Sequence, residues 1–252
     1  MHRDAGPHLD AGVAPIAGAG ASSPAAVAIR QDVIRACKIL DGLRLVEGFG
    51  HVSARLPDGG MLITPARGLA LARESELLTI GPDGSCLHGD PSSAPLERWM
   101  HLAIYRARPD VGAICRTHSR MAAALGVARE PLRAMHGFGG MLGLEVPLYD
   151  GTDLITDDGL GQAVAASLGD RTALLLRGNG ALITGEGVPQ ACIRAVYLEE
   201  AAWMHVVSEG IGGGIPFTSE ELRARSRWYA VEVSRAWEHY TNKFASDPMR
   251  PG

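Results

Sequence analysis

The stretch that decides the fold runs over residues 91–119 and reads PSSAPLERWMHLAIYRARPDVGAICRTHS. Its apolar spacing predicts a helix over residues 95–107. An Arg-Pro-Asp sequence then ends the helix, because proline disfavours the helical conformation in the residue before it. The apolar run that follows predicts a buried strand over residues 111–117.

This helix and strand carry residues that are typical of an enzyme site. Glu97 and His101 are four residues apart and therefore share one face of the predicted helix. His118 follows the end of the predicted strand, where α/β proteins place many of their binding residues. We therefore expect a carboxylate and an imidazole to meet in one pocket.

Bulk properties limit the class of protein. With 252 residues and 46% apolar residues, the chain can form one large core, and we expect a single domain over residues 24–245. Residues 1–23 are rich in Gly, Ala and Pro and lack a basic start before an apolar block, which predicts a disordered tail and not a signal peptide.

Charge and cysteine usage exclude several partners. The net charge of −4 argues against nucleic acid as a partner and against a membrane-binding face. No apolar run reaches the roughly 20 residues that span a bilayer. The four cysteines are scattered, which indicates neither a disulfide framework nor a zinc knuckle and predicts a cytoplasmic protein.

Helices and strands alternate along the rest of the chain. Two strands joined across Asp58-Gly59 predict an early hairpin, which argues against a purely parallel sheet. We therefore expect a mixed α/β protein with helices on both faces of its sheet. The predicted helices cover residues 24–46, 95–107, 119–125, 158–168, 188–208 and 219–241, and the predicted strands cover 52–56, 61–64, 77–80, 111–117, 145–149, 173–176 and 181–184.

Several segments in order resemble the class II aldolase/adducin family. The resemblance implies a three-layer sandwich with a central mixed, mainly antiparallel sheet between helices. It also implies a homotetramer with the active site near a subunit boundary. The matching segments are Gly50-His51-Val52-Ser53-Ala54-Arg55, Leu62-Ile63-Thr64-Pro65, Glu97 with His101-Leu102-Ala103-Ile104-Tyr105, Arg108-Pro109-Asp110, Thr117-His118-Ser119 and Leu175-Leu176-Arg177-Gly178-Asn179-Gly180-Ala181.

The chain departs from this family at two metal-binding positions. Aldolases of the family bind zinc through a His-x-His pair and a third histidine. The resemblance places Arg116 and His118 at the pair and Asn179 at the third position. Arginine stays charged and offers only hydrogen-bond donors, so it cannot be a metal ligand.

Two interpretations of the site follow. In the first, His118, His136 and Glu97 hold a divalent metal, namely zinc, manganese, iron or cobalt, with His51 as a further candidate ligand. In the second, Arg116 replaces the cation, because a guanidinium can hold a carboxylate or enolate at two points without a metal.

The phosphate-binding segments of the family are also altered. The first reads Thr-Pro-Ala-Arg-Gly here and contains Arg67, while Ser92 and Ser93 are separated from Glu97 by three residues. The resemblance to family members that act on sugar phosphates would imply a phosphorylated sugar as the substrate. These changes argue against it. Together with Arg116, Arg67 favours a small carboxylic acid as the substrate.

The predicted roles combine the resemblance with residue chemistry. Glu97 is the predicted acid/base, Arg116 orients the carboxylate, and His101 is either catalytic or a support. The predicted substrate-binding residues are Arg67, Asn179, His51 and Ser53. For Asn179 the alternative is a turn former, and for His51 a brace for the turn after the first helix.

The resulting functional hypothesis is a lyase that breaks a carbon–carbon bond through an enolate-like intermediate. Decarboxylation of a hydroxy-aromatic or keto carboxylic acid is the reaction we expect first. The alternatives are a non-haem iron oxygenase that performs oxidative decarboxylation, an aldolase acting on a small aldehyde or keto acid, and a non-catalytic interaction protein like adducin.

Overall fold

The structure is a computed structural model, and it describes residues 23–57 and 59–245. The tail expected over residues 1–23 lies outside the described residues except for Ser23, and so does Asp58 of the predicted hairpin turn. The single domain expected over residues 24–245 stays a prediction.

Helices and strands alternate through the described part of the chain. Its α-helices are α1 (Pro24–Gly42), α2 (Arg98–Ala107), α3 (Arg120–Ala128), α4 (Asp158–Leu168), α5 (Val188–Glu209), α6 (Ser219–Ser226) and α7 (Tyr229–Lys243). Its strands are β1 (His51–Arg55), β2 (Met61–Ile63), β3 (Leu78–Ile80), β4 (Cys86–His88), β5 (Ala113–Thr117), β6 (Leu132–Arg133), β7 (Glu145–Val146), β8 (Leu148–Tyr149), β9 (Ala173–Leu176) and β10 (Ala181–Gly185).

Among the described residues, eight strands form one sheet in the order β4-β3-β2-β1-β5-β10-β9-β8. Neighbouring strands are antiparallel except for the parallel pair β8 and β9. The mixed, mainly antiparallel sheet is therefore confirmed. The predicted early hairpin is present as β1 and β2, in which Ser53 lies opposite Ile63.

Apolar side chains cover both faces of this sheet. Helices α1, α3 and α5 contribute to one buried cluster, and α2 and α4 contribute to another. The central strand β5 serves both clusters, because Ala113 and Cys115 belong to the first and Ile114 to the second. This alternation follows from the two-residue period of a strand. The three-layer arrangement is thus confirmed.

Several boundaries differ from the sequence predictions. Helix α1 ends at Gly42 and not at Val46. Arg44 has a φ of 57°, a left-handed conformation that cannot continue a right-handed helix. The carbonyl of Leu45 then accepts a hydrogen bond from the His118 N–H at 3.0 Å. The early end of the helix thereby ties this segment to the end of β5.

The predicted strand over residues 145–149 is two strands with different partners. Pro147 separates them, because proline has no N–H for a strand ladder. Strand β7 pairs with β6 in a separate two-stranded sheet, and β8 pairs with β9. The short strands β4 and β6 were not predicted.

The predicted helix over residues 219–241 is also wrong in extent, since α6 and α7 are separated at Arg227 and Trp228. No proline or glycine marks this break. Tertiary packing accounts for it, because Tyr229 lies against Gly140, where an added Cβ would come within 2.0 Å of the tyrosine hydroxyl. None of the helices over residues 23–57 and 59–245 has both the length and the apolar surface that crossing a bilayer requires.

Candidate functional site

The guanidinium of Arg116 lies under α2 at the end of β5. The two-residue period of the strand turns Arg116 to the same face as Ile114, towards α2 and α4. The side chain is fully buried, and its Nη2 lies 3.6 Å from Oε2 of Glu97. Its Nη1 donates a hydrogen bond to the Thr117 carbonyl at 2.5 Å. Burial lowers the pKa of Arg116, and the charge of Glu97 opposes that shift.

Glu97 is the N-cap residue of α2, and its side chain is 9% exposed. A carboxylate at this position is favoured by the positive end of the helix dipole. Its Oε2 faces Arg116, whereas its Oε1 has no hydrogen-bond partner in the described part of the chain. The predicted acid/base and the predicted carboxylate-binding residue are therefore brought together.

A hydrogen-bonded set of buried side chains lies one turn further along α2. The hydroxyl of Ser53 lies 2.8 Å from Nδ1 of His101 and 2.7 Å from the hydroxyl of Tyr105. Ser53 and His101 are both fully buried. Burial, followed by the nearby charge of Arg116, lowers the pKa of His101 to about 3, so the ring is neutral near pH 7.

This geometry changes the role expected for Ser53. The sequence predicted that it binds substrate, but its hydroxyl is enclosed between two side chains that it hydrogen-bonds. Its contacts favour a positioning role, in which Ser53 holds the His101 ring, over direct binding of a substrate. Tyr105 was missed by the sequence analysis, although its position four residues after His101 places it on the same helix face.

His51 lies directly opposite Arg116 in the pairing of β1 with β5. Its ring centroid is 5.7 Å from that of His101. Burial is the largest cause that lowers its pKa well below the usual value, and the charges of His101, Arg116 and His118 add to it. We call Glu97, Arg116, His51 and His101 the Arg116 cluster.

Several buried polar atoms of this cluster lack hydrogen-bond partners in the part of the chain that the structure describes. Within the described residues, five of its buried nitrogen and oxygen atoms have no hydrogen-bond partner, namely His51 Nδ1, Glu97 Oε1, His101 Nε2, Arg116 Nε and Arg116 Nη2. Buried polar groups are nearly always paired in folded proteins, and exceptions concentrate at functional sites. The cluster therefore has the character of a binding site.

His118 lies nearer the surface than the Arg116 cluster. It is half-buried, and burial followed by the charge of Arg116 lowers its pKa to about 4. It lines a cavity of about 300 Å³ together with Arg44, Glu47, Phe49 and Arg120. The ring of Phe49 is 75% exposed, and its centroid lies 6.2 Å from that of His118.

Asn179 lies in the turn between β9 and β10. Its N–H donates a hydrogen bond to the Leu176 carbonyl at 2.9 Å, so the predicted turn-forming role is observed. The next residue, Gly180, has a φ of 78° and packs so closely that an added Cβ would lie 2.8 Å from Cα of His118. The turn that contains Asn179 therefore packs against the backbone of His118.

His136 does not join the other predicted metal ligands. Its Nε2 lies 3.6 Å from Glu200 of α5, and its Nδ1 accepts a hydrogen bond from the Gly139 N–H. Helix α5 covers the face of the sheet opposite to α2. Within the described part of the chain, the structure therefore does not bring the predicted ligand set of Glu97, His118 and His136 together to hold a metal.

The candidate ligand side chains in the described part of the chain are not arranged to bind a divalent metal. No group of three or more His, Cys, Asp or Glu side chains over residues 23–57 and 59–245 is arranged to hold one. Arg116 also places a fixed positive charge beside Glu97. At about 4 Å, two like unit charges repel by about 4 kcal/mol at an effective dielectric constant of about 20.

Arg67 lies where two loops meet. The Ala66 N–H donates a hydrogen bond to the Ser93 carbonyl at 2.7 Å. The exposed guanidinium of Arg67 binds Glu76 at 2.8 Å, and no described contact joins it to the Arg116 cluster. The structure therefore gives no direct support to Arg67 as a substrate ligand.

The serine hydroxyls next to this loop are also engaged. Ser92 donates to the Asp90 carboxylate at 2.7 Å, and Ser93 donates to the Asp90 carbonyl at 2.8 Å. These contacts agree with the predicted loss of the phosphate-binding segment.

Glu199 of α5 is a further positioning residue that the sequence analysis missed. Its carboxylate accepts hydrogen bonds from the N–H groups of Met121 and Ala122, in the first turn of α3. This contact fixes the start of the helix that directly follows His118 and Ser119. No short-range sequence signal identifies it, because 77 residues separate Glu199 from Ala122.

Comparisons with known proteins agree with this fold. The "Class II Aldolase and Adducin N-terminal domain" profile matches residues 31–206. The 3,4-dihydroxyphthalate decarboxylase of Terrabacter sp. (strain DBF63) is 29% identical over 209 residues, covering 77% of this chain and 87% of that protein.

Two further comparisons involve aldolases. The 5-methylthioribulose-1-phosphate/5-deoxyribulose-1-phosphate aldolase of Rhodospirillum rubrum is 31% identical over 179 residues, covering 70% of this chain and 79% of that protein. A solved structure titled L-fuculose 1-phosphate aldolase superposes with a TM-score of 0.74 at 24% identity, covering 81% of this chain and 96% of that one. The latter likeness concerns the fold alone.

Proposed function

The chain belongs to the class II aldolase and adducin family, and we propose that it is a carbon–carbon lyase that decarboxylates a hydroxy-aromatic or keto carboxylic acid. The observation that carries this proposal is the buried pair of Arg116 and Glu97, in which both side chains keep unpartnered polar atoms. The similarity to decarboxylases supports the same reaction class.

Arg116 binds and orients the substrate in this proposal. Its Nε and Nη2 carry two parallel N–H bonds along one edge of the guanidinium, and neither nitrogen has a hydrogen-bond partner among the described residues. One N–H binds the carboxylate and the other binds the neighbouring keto or hydroxyl oxygen. When the carbon–carbon bond breaks, its electron pair stays on the substrate and negative charge develops on that second oxygen. The fixed guanidinium stabilises this charge.

Glu97 completes the reaction as the proton donor. Glu97, which rests as the carboxylate paired with Arg116, first takes up a proton from water. The carboxylate carbon of the substrate then leaves as carbon dioxide, and the substrate carbon takes that proton from Glu97. Water or the next substrate returns the proton to the carboxylate. His51 and His101 remain neutral, and their unpartnered ring nitrogens are available to hydrogen-bond a substrate hydroxyl.

The test is a panel of hydroxybenzoic, dihydroxyphthalic and β-keto acids, assayed for carbon dioxide release. We expect release from at least one acid and a loss of 100-fold or more in kcat for Glu97→Gln. Glu76→Gln is the matched control, because Glu76 pairs with the exposed Arg67 outside the cluster. If no acid releases carbon dioxide, or if Glu97→Gln retains full activity, the proposal is wrong.

An aldolase reaction is the second candidate, because several relatives of this chain carry that name. It uses the same enolate-like intermediate but releases an aldehyde. The engaged hydroxyls of Ser92 and Ser93 argue against a phosphorylated sugar as its substrate. Aldehyde release without carbon dioxide in the same panel would favour this candidate.

The proposal includes a homo-oligomer, with a tetramer as the expected size. Exposed apolar side chains on α5, on the segment that follows it and at the start of α7 support it, because exposed apolar surface is commonly buried in an interface. The largest of these exposed side chains are Trp203, Ile211, Ile215, Trp228 and Val231. Light scattering of the purified protein gives the molecular mass directly, and a monomeric mass would contradict this part of the proposal.

A further inference from the structure

Class II aldolases generally depend on a divalent metal. We propose that in this chain the Arg116 guanidinium takes the place of that cation, so that the Arg116 cluster binds an organic carboxylate directly and holds no divalent metal. This inference rests on the proposed function only in assigning the ligand to the same cluster.

The first argument is the direction of the free donors. Hydrogen bonding to the Thr117 carbonyl fixes Nη1 of Arg116, which leaves the edge formed by Nε and Nη2. The full burial of the side chain holds this edge in place, so little rotational freedom is lost when a ligand binds. Such an edge presents two parallel donors. They match the two oxygens of a simple carboxylate such as benzoate, or one carboxylate oxygen and the neighbouring keto or hydroxyl oxygen of the proposed substrate.

The second argument is the charge at the site. A divalent cation that used Glu97 as a ligand would lie beside Arg116, whose Nη2 is 3.6 Å from the Glu97 carboxylate. A carboxylate ligand is attracted by the same guanidinium, and Glu97 repels it only while Glu97 is ionised. Arg116 therefore favours an anion where it disfavours a cation.

The third argument is the arrangement of the imidazoles. His101 uses Nδ1 for the Ser53 hydroxyl, and His136, a predicted ligand, lies beside α5 on the other face of the sheet. Among the described residues, no three ligand side chains converge. The neutral rings of His51 and His101 instead offer hydrogen bonds to an organic ligand.

The experiment measures metal content and anion binding on the full-length protein. Elemental analysis gives the metal content of the purified oligomer, and calorimetry measures binding of Co²⁺ to it. Benzoate, measured in the presence of EDTA, is the anion probe, because it lacks the hydroxyl or keto oxygen that decarboxylation requires. We expect less than 0.1 equivalent of metal, no stoichiometric Co²⁺ binding and saturable benzoate binding.

Variants connect both measurements to Arg116. We expect Arg116→Met to weaken benzoate binding at least 10-fold and Arg116→Lys to weaken it less, because lysine keeps the charge but loses the two-point edge. Arg35→Ala is the matched control, since it removes an exposed arginine of α1 that pairs with Asp32. The double variant Arg116→His/Asn179→His restores the family's histidines, and we expect it to bind one Co²⁺ with the absorption of a tetrahedral site.

Two results would overturn the inference. One is a wild-type protein that holds one equivalent of divalent metal and loses benzoate binding when EDTA removes it. The other is benzoate binding that is unchanged in both folded Arg116 variants. Should Arg116→Met fail to fold, Arg116→Lys and the wild-type metal analysis decide the question.

The test also separates this inference from the proposed function. Metal-free benzoate binding through Arg116 without decarboxylation of any acid would contradict the proposed function alone. Carbon dioxide release that requires an added divalent metal would contradict the inference alone.

Discussion

Nη2 of Arg116 and Oε2 of Glu97 lie 3.6 Å apart, and both side chains are almost completely removed from solvent. Neither residue could be buried alone without a large cost, because an unpaired charge in a protein interior is strongly destabilising. The pair therefore links stability to function, and this link can be measured.

Removing one partner of the pair should cost more than removing both. We expect Glu97→Gln to lower the free energy of unfolding by about 3 kcal/mol, because it leaves the Arg116 charge buried and unpaired. The double variant Glu97→Gln/Arg116→Met should recover most of this loss. Urea unfolding of both variants and the wild type provides the measurement, and a double variant less stable than Glu97→Gln would refute the expectation.

The hydroxyl of Ser53 should be needed to orient His101. Ser53→Ala leaves Nδ1 of His101 and the Tyr105 hydroxyl without their shared partner, at a cost of about 1–3 kcal/mol in unfolding free energy. We also expect kcat for the proposed reaction to fall. Ser167→Ala is the control, because that exposed serine bonds only to a carbonyl within α4, and its effect should stay below about 0.5 kcal/mol. Equal losses in the two variants would count against a positioning role.

Two glycines of one turn allow backbone strain to be separated from steric contact. Both Gly178 and Gly180 have positive φ, but an added Cβ at Gly178 has open space, whereas at Gly180 it would lie 2.2 Å from the Thr117 carbonyl oxygen. Gly178→Ala should cost about 1 kcal/mol from strain. Gly180→Ala should cost more and should also reduce activity, because it displaces the backbone of His118. Thermal unfolding and kcat distinguish the two, and indistinguishable variants would contradict the packing described.

Stability should fall as the solution becomes acidic. The pKa of His101 is lowered to about 3 and that of His118 to about 4, so between these values and about 6.5 the unfolded chain binds more protons than the folded chain. Unfolding free energy therefore rises with pH in this window, by at most about 1.4 kcal/mol per pH unit for each imidazole.

Denaturant titrations between pH 4 and pH 7 measure this slope. His101→Asn should reduce it, because asparagine does not titrate in this range, while His88→Gln on an exposed strand should leave it unchanged. A slope that is the same in His101→Asn and the wild type would show that His101 does not contribute.

Much of the fold was predictable because its signals are local. The period of apolar residues located the long helices. The apolar run before Arg116 predicted the buried strand that is observed as β5. The break between α6 and α7 carries no local signal, since it depends on Tyr229 packing against Gly140. The division of residues 145–149 at Pro147 likewise depends on which strands lie nearby.

The site was predictable where the resemblance and the strand pattern agreed. The Arg116 cluster comes from three neighbouring elements on one face of the sheet. Strands β1 and β5 carry His51 and Arg116, and α2 carries His101 and begins after Glu97. His136 was misplaced because its sequence context, a glycine-rich loop, does not reveal which face of the sheet the loop packs on. Ser53 and Tyr105 show the reverse case, in which the spacing was visible but the role depended on three-dimensional contacts.

The pairing of His51 with Arg116 across β1 and β5 constrains how this protein can diverge. Adjacent residues of a strand point to opposite faces, so deleting one residue from β5 ahead of Arg116 would turn the guanidinium into the apolar layer under α1, α3 and α5. Related sequences that keep this pocket should therefore change here by substitution, while insertions and deletions gather in the connecting loops.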